Sequence, residues 1–257
     1  MMLDLIGDIL NWAAVGVMFP LLFLPLGFFL SRTRPLLFWV LTVALLVVAG
    51  LLFVRLTPIL AIAPSPEKLM WFGGLFALTV IAVAAAGVAR MALVLPILFD
   101  RVTRRIGRTV MWLLLAMALV QFGVVVLRYV FGINFIFMQE SITYMHGAVF
   151  LLAGGYALLT DDHVRVDIFY REANPRRKAM VDLAGTYLLL FPVCLLLVWT
   201  ASAYVARSWA VGEGSNESSG IQALFLLKSF IPAYAVLLMM AGYVTVSRAV
   251  ATLRRPG

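Results

Sequence analysis

Long apolar runs with very few charges dominate this chain and decide what it can fold into. Residues 10–30, 36–56, 69–98, 109–131, 139–159, 175–206 and 223–250 are each long enough to cross a bilayer as a helix, which takes about 20 residues. The 175–206 run has its apolar core from Leu183 onward, and 69–98 is long enough to tilt or to project from the bilayer. The runs are continuous rather than alternating, which argues against a β-barrel. Apolar residues make up 64% of the chain and charged residues 12%. A water-soluble domain, with about 25% charged residues, covers its surface with twice as many. The chain is therefore predicted to be an all-α integral membrane protein of about seven transmembrane helices.

Charge placement predicts the orientation. Fourteen of the twenty Lys and Arg residues fall in 31–35, 99–108, 161–178 and 248–257. Arg55, Lys68, Arg128, Arg207 and Lys228 lie at the opposite ends of the runs, and Arg90 lies within one. Basic residues favour cytoplasmic loops, so the N-terminus is expected outside and the C-terminus inside. Asp4 and Asp8 precede the first run without any Lys or Arg, which reads as an uncleaved first helix rather than a secretory signal. The net charge of +8 is thus a property of loops, and no basic domain is left to hold a nucleic acid. The basic segment 99–108 reads as a loop and a seam. It divides residues 1–104, a three-helix extension, from residues 105–257, a four-helix unit. No internal repeat relates the two, which argues against a complete transporter. In the third run Gly73, Gly74, Ala77, Ala84, Ala85 and Ala89 would allow close helix packing. Cys194 is the single cysteine, so no intrachain disulfide is possible.

The most informative stretch is 139–170, QESITYMHGAVFLLAGGYALLTDDHVRVDIFY. Its polar elbow, DDHVRVD, has three readings: a metal site of Asp161, Asp162, His163 and Asp167, a solvated elbow, or a docking elbow for a partner. The metal reading lacks a second nearby histidine and the usual ligand spacing. Residues 166–173 are expected as a short interfacial helix, because a lone strand would leave backbone groups unpaired near lipid. Asn174 and Pro175 then read as the N-cap and first residue of the next helix. Arg128 and Glu140 stand near the outer ends of consecutive runs, as an ion pair or as two independent residues reaching for the interface. Gly147 and Gly154 share a helix face and, with Gly155, would allow close helix approach. Gln121 and His146 read as structural. There is no phosphate-binding glycine loop, no Ser-His-Asp set and no chain of Asp, Glu and His through the runs, so no enzyme and no cofactor are expected.

The stretch GGYALLTDDHVRVDIFY resembles the small membrane (Q) subunit of tripartite ATP-independent periplasmic, or TRAP, transporters. That pattern has Arg-Tyr near the end of a first helix, an acidic pair opening the second, then G-x-x-Y-A and H-V-R-V-D. Arg128-Tyr129, Glu140, Gly154 to Ala157 and His163 to Asp167 match it. The resemblance covers about residues 105–255 and departs from the pattern at Gln139, where a second acid is usual. It implies a scaffold subunit of a sodium-coupled importer of an organic acid, a multi-pass protein of the bacterial inner membrane. Its implied partners are a large membrane subunit, a periplasmic substrate-binding protein and membrane lipid. Residues implied in docking are Arg128, Glu140, Gly154, Tyr156, His163, Arg165 and Asp167, with no catalytic, metal or cofactor site. The loop with Glu213 and Glu217 could touch the binding protein or be simply solvated. The alternative is a free-standing structural or sensory membrane protein.

Overall fold

A computed structural model describes residues 15–30, 37, 39–44, 47–48, 51, 66–162 and 170–254. All regular structure among them is helical. In chain order the elements are α1 (Leu24–Leu30), α2 (Pro66–Ala86), α3 (Val88–Val130), α4 (Ile136–Leu152), α5 (Gly154–Thr160), α6 (Pro175–Gly185), a π-helical turn (Thr186–Leu190), α7 (Phe191–Ala210) and α8 (Leu224–Arg254). Only Ala153 separates α4 from α5, and its N–H still reaches Val149 O at 3.1 Å. The π turn lies just ahead of Pro192, which has no N–H to donate to the helical ladder. The Asn174 cap is as the sequence predicts: its Oδ1 accepts from Arg177 N at 2.8 Å, with Pro175 as the first helical residue.

Four helical stretches among the described residues are long and apolar enough to cross a membrane: Arg90–Val130, Ile136–Thr160, Pro175–Ala210 and Leu224–Arg254. Val15–Phe29 and Phe72–Ala86 are apolar but shorter, and most of the expected 36–56 run lies outside the described residues. The expected 69–98 run is not one helix. Gly87 breaks it at φ +84°, a conformation that side-chain-bearing residues rarely adopt. The basic segment 99–108 is not a loop either. It is the middle of α3, a single helix of 43 residues. Arginine is a good helix former, and Asp100 accepts from Arg104 one turn later at 2.9 Å, so nothing local stops the helix there. At 1.5 Å per residue α3 is about 65 Å long, roughly twice the bilayer core. The expected boundary at 104/105 therefore falls inside a continuous helix.

Helix α8 is the central post. It touches α1 and every helical element from α3 to α7, including the π turn. Met239, Ala241, Tyr243 and Val246 are fully enclosed although they point in different directions around the axis, as expected of a helix surrounded on all sides. Small residues permit the approach. A Cβ on Gly155 would stand 2.8 Å from Leu237 O, and one on Gly242 would stand 2.6 Å from Leu190 Cδ2. Gly147 and Gly154 likewise face α8, against Leu227 and the Tyr234 ring. By contrast, a Cβ on Gly73 or Gly74 meets nothing within 4 Å among the described residues, so the packing expected there is not seen. Phe99 of α3 sets its ring edge-on to Tyr243 at 5.2 Å. Tyr187 of the π turn donates to Leu22 O at 2.6 Å, tying the N-terminal helical stretch to the bundle.

Gly155→Ala is expected to destabilise the protein by about 1–3 kcal/mol, because the methyl group meets backbone that cannot yield easily. Gly73→Ala should be neutral or should stabilise by up to about 1 kcal/mol. Thermal unfolding in detergent compares them, and equal behaviour would mean that α5 does not approach α8 closely.

Candidate functional site

The described candidate residues lie at two ends of the bundle. At one end Glu140, in the second turn of α4, sits over the loop between α7 and α8. Its Oε1 accepts from Ser215 Oγ and its Oε2 accepts from Ile221 N at 2.6 Å. The loop closes on itself through Ser215 N to Ile221 O at 3.1 Å and Gly220 N to Glu217 O at 3.0 Å. Lys228 donates to Glu213, and its ammonium lies 3.9 Å above the Tyr204 ring. That bond holds the Glu213 carboxyl below its ordinary range. A depressed carboxyl pKa means that this anchor is complete at neutral pH and is lost as pH falls through the lowered value. Trp209 Nε1 donates to Ser229 Oγ at 2.8 Å and its ring packs on Phe225 at 4.6 Å, joining α7 to the start of α8. The loop is thus pinned at three points, with one carboxylate from another helix as its main acceptor.

At the opposite end Tyr156 of α5 packs across Gly107 of α3, where a Cβ would overlap its side chain. Asp161 ends α5 in the left-handed conformation, φ 64°, and Asp162 N returns to Ala157 O at 3.1 Å. Aspartate is among the few side-chain-bearing residues that tolerate this helix stop. Beyond residues 163–169, Tyr170 OH donates to the Asp182 carboxylate at 3.0 Å, and Lys178 lies 5.3 Å from the Tyr170 ring. Tyr170 to Ala173 form a turn, not the end of the expected interfacial helix. Asp100 accepts from Arg104 at 2.9 Å and from Arg248 of α8 at 2.8 Å. This end also carries Arg101, Arg105 and Arg108.

The candidate residues do not converge on one site. Glu140 and Tyr156 are sixteen residues apart along α4 and α5, about 24 Å at helical rise. His163, Arg165 and Asp167 lie outside the described residues. Gly154 is a packing position against Tyr234. The Arg128–Glu140 pair is not formed: Arg128 is exposed, its guanidinium 5.9 Å from the neighbouring Tyr129 ring, while Glu140 is committed to the loop. Backbone N–H groups of a Gly- and Ser-rich turn need acceptors, and Glu140 is the carboxylate placed to supply one. Sequence pattern alone does not join Ser215, Ile221, Glu213 and Lys228 into one set. Their signal is a loop rich in Gly and Ser donors at the same end of the bundle as Glu140.

The architecture of four membrane-capable helices now meets an independent observation. Residues 117–252 match the family described as tripartite ATP-independent periplasmic transporters, DctQ component. The chain belongs to this family. It is a small membrane component of a TRAP transporter, within a family of transporter components rather than enzymes. The matched residues run from within α3 to near the end of α8 and so include the α8 post and the Glu140-pinned loop. No curated protein and no solved structure matches the chain.

Reversing both charges, Arg128→Glu with Glu140→Arg, should be no more stable than Glu140→Arg alone in detergent melting. Glu140→Gln should speed hydrogen exchange at the Ile221 amide and across 213–222 while leaving α8 protected. Rescue by the double reversal would restore the direct pair.

Proposed function

We propose that this chain is the scaffold subunit of a TRAP importer, seated beside a large membrane subunit that moves an organic acid with sodium. The observation that carries this reading is the exposed apolar flank of α3. Trp112, Leu115, Leu119 and Phe122 follow one helical stripe and are between 54% and 73% exposed. A flank of this kind is covered by lipid or by another membrane protein. The bundle interior supports the same role. Its centre, from Val198 and Val205 to Met239 and Val246, is closed and apolar, which suits a brace better than a path for an anion. Substrate choice and sodium coupling then belong to the partners.

The arginine-rich end is the cytoplasmic one in this proposal, by the preference of Lys and Arg for that side. The Glu140-pinned loop then faces the periplasm, where a substrate-binding protein would dock. His163, Arg165 and Asp167 form a docking elbow for the large subunit at the cytoplasmic face, with Tyr156 and Gly107 fixing the helix that leads into it. Residues 105–257 supply the scaffold and residues 1–104 an added membrane extension, a functional division laid across the continuous α3.

Affinity purification of the tagged full chain from its native membrane in mild detergent tests this. A large polytopic membrane protein should accompany it in near-equal amount, and substituting His163, Arg165 and Asp167 together should reduce that recovery while the chain itself remains folded. Recovery of the chain alone, in a detergent that preserves such complexes, would favour the free-standing membrane protein.

A further inference from the structure

Between α3 and the last turns of α8 lies an open cavity of about 870 Å³. Five guanidinium groups line it, from Arg101, Arg104, Arg105, Arg108 and Arg248, with the single carboxylate of Asp100. That carboxylate is already shared between Arg104 and Arg248. Among the described residues no carboxylate pairs with Arg101, Arg105 or Arg108. Three unneutralised cations on adjacent turns of one helix repel one another and are stabilised by an anion that bridges them.

The surroundings decide what kind of anion fits. Ile97, Arg101, Arg105, Arg108 and Trp112 recur at spacings of three and four, so they share one face of α3. Ile97 and Trp112, at the two ends of this basic stretch, are 61% and 73% exposed. Beyond Trp112 the same stripe continues through Leu115, Leu119 and Phe122, all exposed. A tryptophan between a cationic belt and an exposed apolar stripe is the arrangement found where a helix leaves the hydrocarbon for the headgroup layer. A soluble anion would use only the arginines. An amphiphile with a phosphate head would use the arginines and the apolar stripe together.

We propose that this cavity is a binding site for an anionic phospholipid. Its phosphate is held by Arg101, Arg105 and Arg108, with Arg248 closing the opposite wall, and its acyl chains lie along Trp112, Leu115 and Leu119. Asp100 orients Arg104 and Arg248 and limits the excess positive charge. The lipid would lie between this flank of α3 and a subunit seated beside it, so the site itself requires only that α3 leave the bilayer near Arg108.

The test is native mass spectrometry of the full chain released from detergent, titrated with phosphatidylglycerol or with phosphatidylcholine of the same acyl chains. Wild type should take up phosphatidylglycerol with at least about tenfold higher affinity, given the attraction of each basic residue for anionic lipid. Arg101→Gln with Arg105→Gln and Arg108→Gln should lose that preference, whereas the same three positions changed to Lys should keep most of it. Arg176→Gln with Arg177→Gln, at the start of α6, should leave it intact. If the Gln variant does not fold, the wild-type comparison still decides: phosphatidylglycerol should raise the melting temperature and phosphatidylcholine should not. Equal uptake of both lipids by wild type would overturn the proposal. So would equal loss of the preference in the Arg176/Arg177 variant, or displacement of the lipid by millimolar inorganic phosphate, which would mark a site for a free anion.

Discussion

The close approach of α8 to its neighbours is the contact on which the rest of the structure depends. A helix in lipid gains little from hiding apolar side chains, since the surrounding tails are equally apolar. What holds it is close packing, and close packing needs small residues where backbones meet. Gly155 against Leu237 and Gly242 against Leu190 supply this on opposite sides of the contact set. With α8 fixed, Tyr243 gives Phe99 an edge to pack on, and Arg248 gives Asp100 a cation. These contacts set the register of α3, a helix too long to be positioned by the bilayer alone.

The two ends of the bundle solve different electrostatic problems. At one end a Gly- and Ser-rich loop presents the Ser215 hydroxyl and the Ile221 N–H, and Glu140 accepts from both. The anion is not left unpaired, and the loop gains a fixed shape. At the other end there are more cations than protein carboxylates to meet them, and Asp100 can serve only two. The loop end is satisfied from within the chain. At the arginine-rich end Arg101, Arg105 and Arg108 have no carboxylate partner among the described residues. This asymmetry suits the proposed seat of a small TRAP component beside a larger membrane subunit.

Much of this was legible in the sequence. Continuous apolar runs specify helices and membrane, because backbone groups in lipid have no other partners. Asn174-Pro175 specified its helix start through local chemistry alone, and the glycine spacing in 147–155 specified a packing face. What misled was polarity taken as a sign of a loop. The basic segment 99–108 has the charge of a connection but the propensity of a helix, and helix geometry won because arginine is a good helix former and Arg104 bonds to Asp100 one turn back. The 69–98 run failed for the opposite reason: its composition is uniform, and one glycine at φ +84° breaks it. Proximity in the chain leaves Arg128 and Glu140 as a pair or as two independent residues, and Glu140 is in fact taken by Ser215 and Ile221, more than seventy residues away. Such a partner cannot be read from local pattern, because it depends on where α8 places the loop that precedes it.

The register between α3 and α8 is tested most directly by crosslinking in native membranes. In a Cys194→Ser background, Asp100→Cys paired with Arg248→Cys should be joined efficiently by a short bismaleimide, with the linked peptides identified by mass spectrometry. Asp100→Cys paired with Lys228→Cys should not be joined, since Lys228 lies twenty residues earlier, about 30 Å along α8. Crosslinking of the Asp100/Lys228 pair, or none in the Asp100/Arg248 pair while each cysteine reacts singly, would contradict the central placement of α8 and with it the basic end built on Asp100 and Arg248.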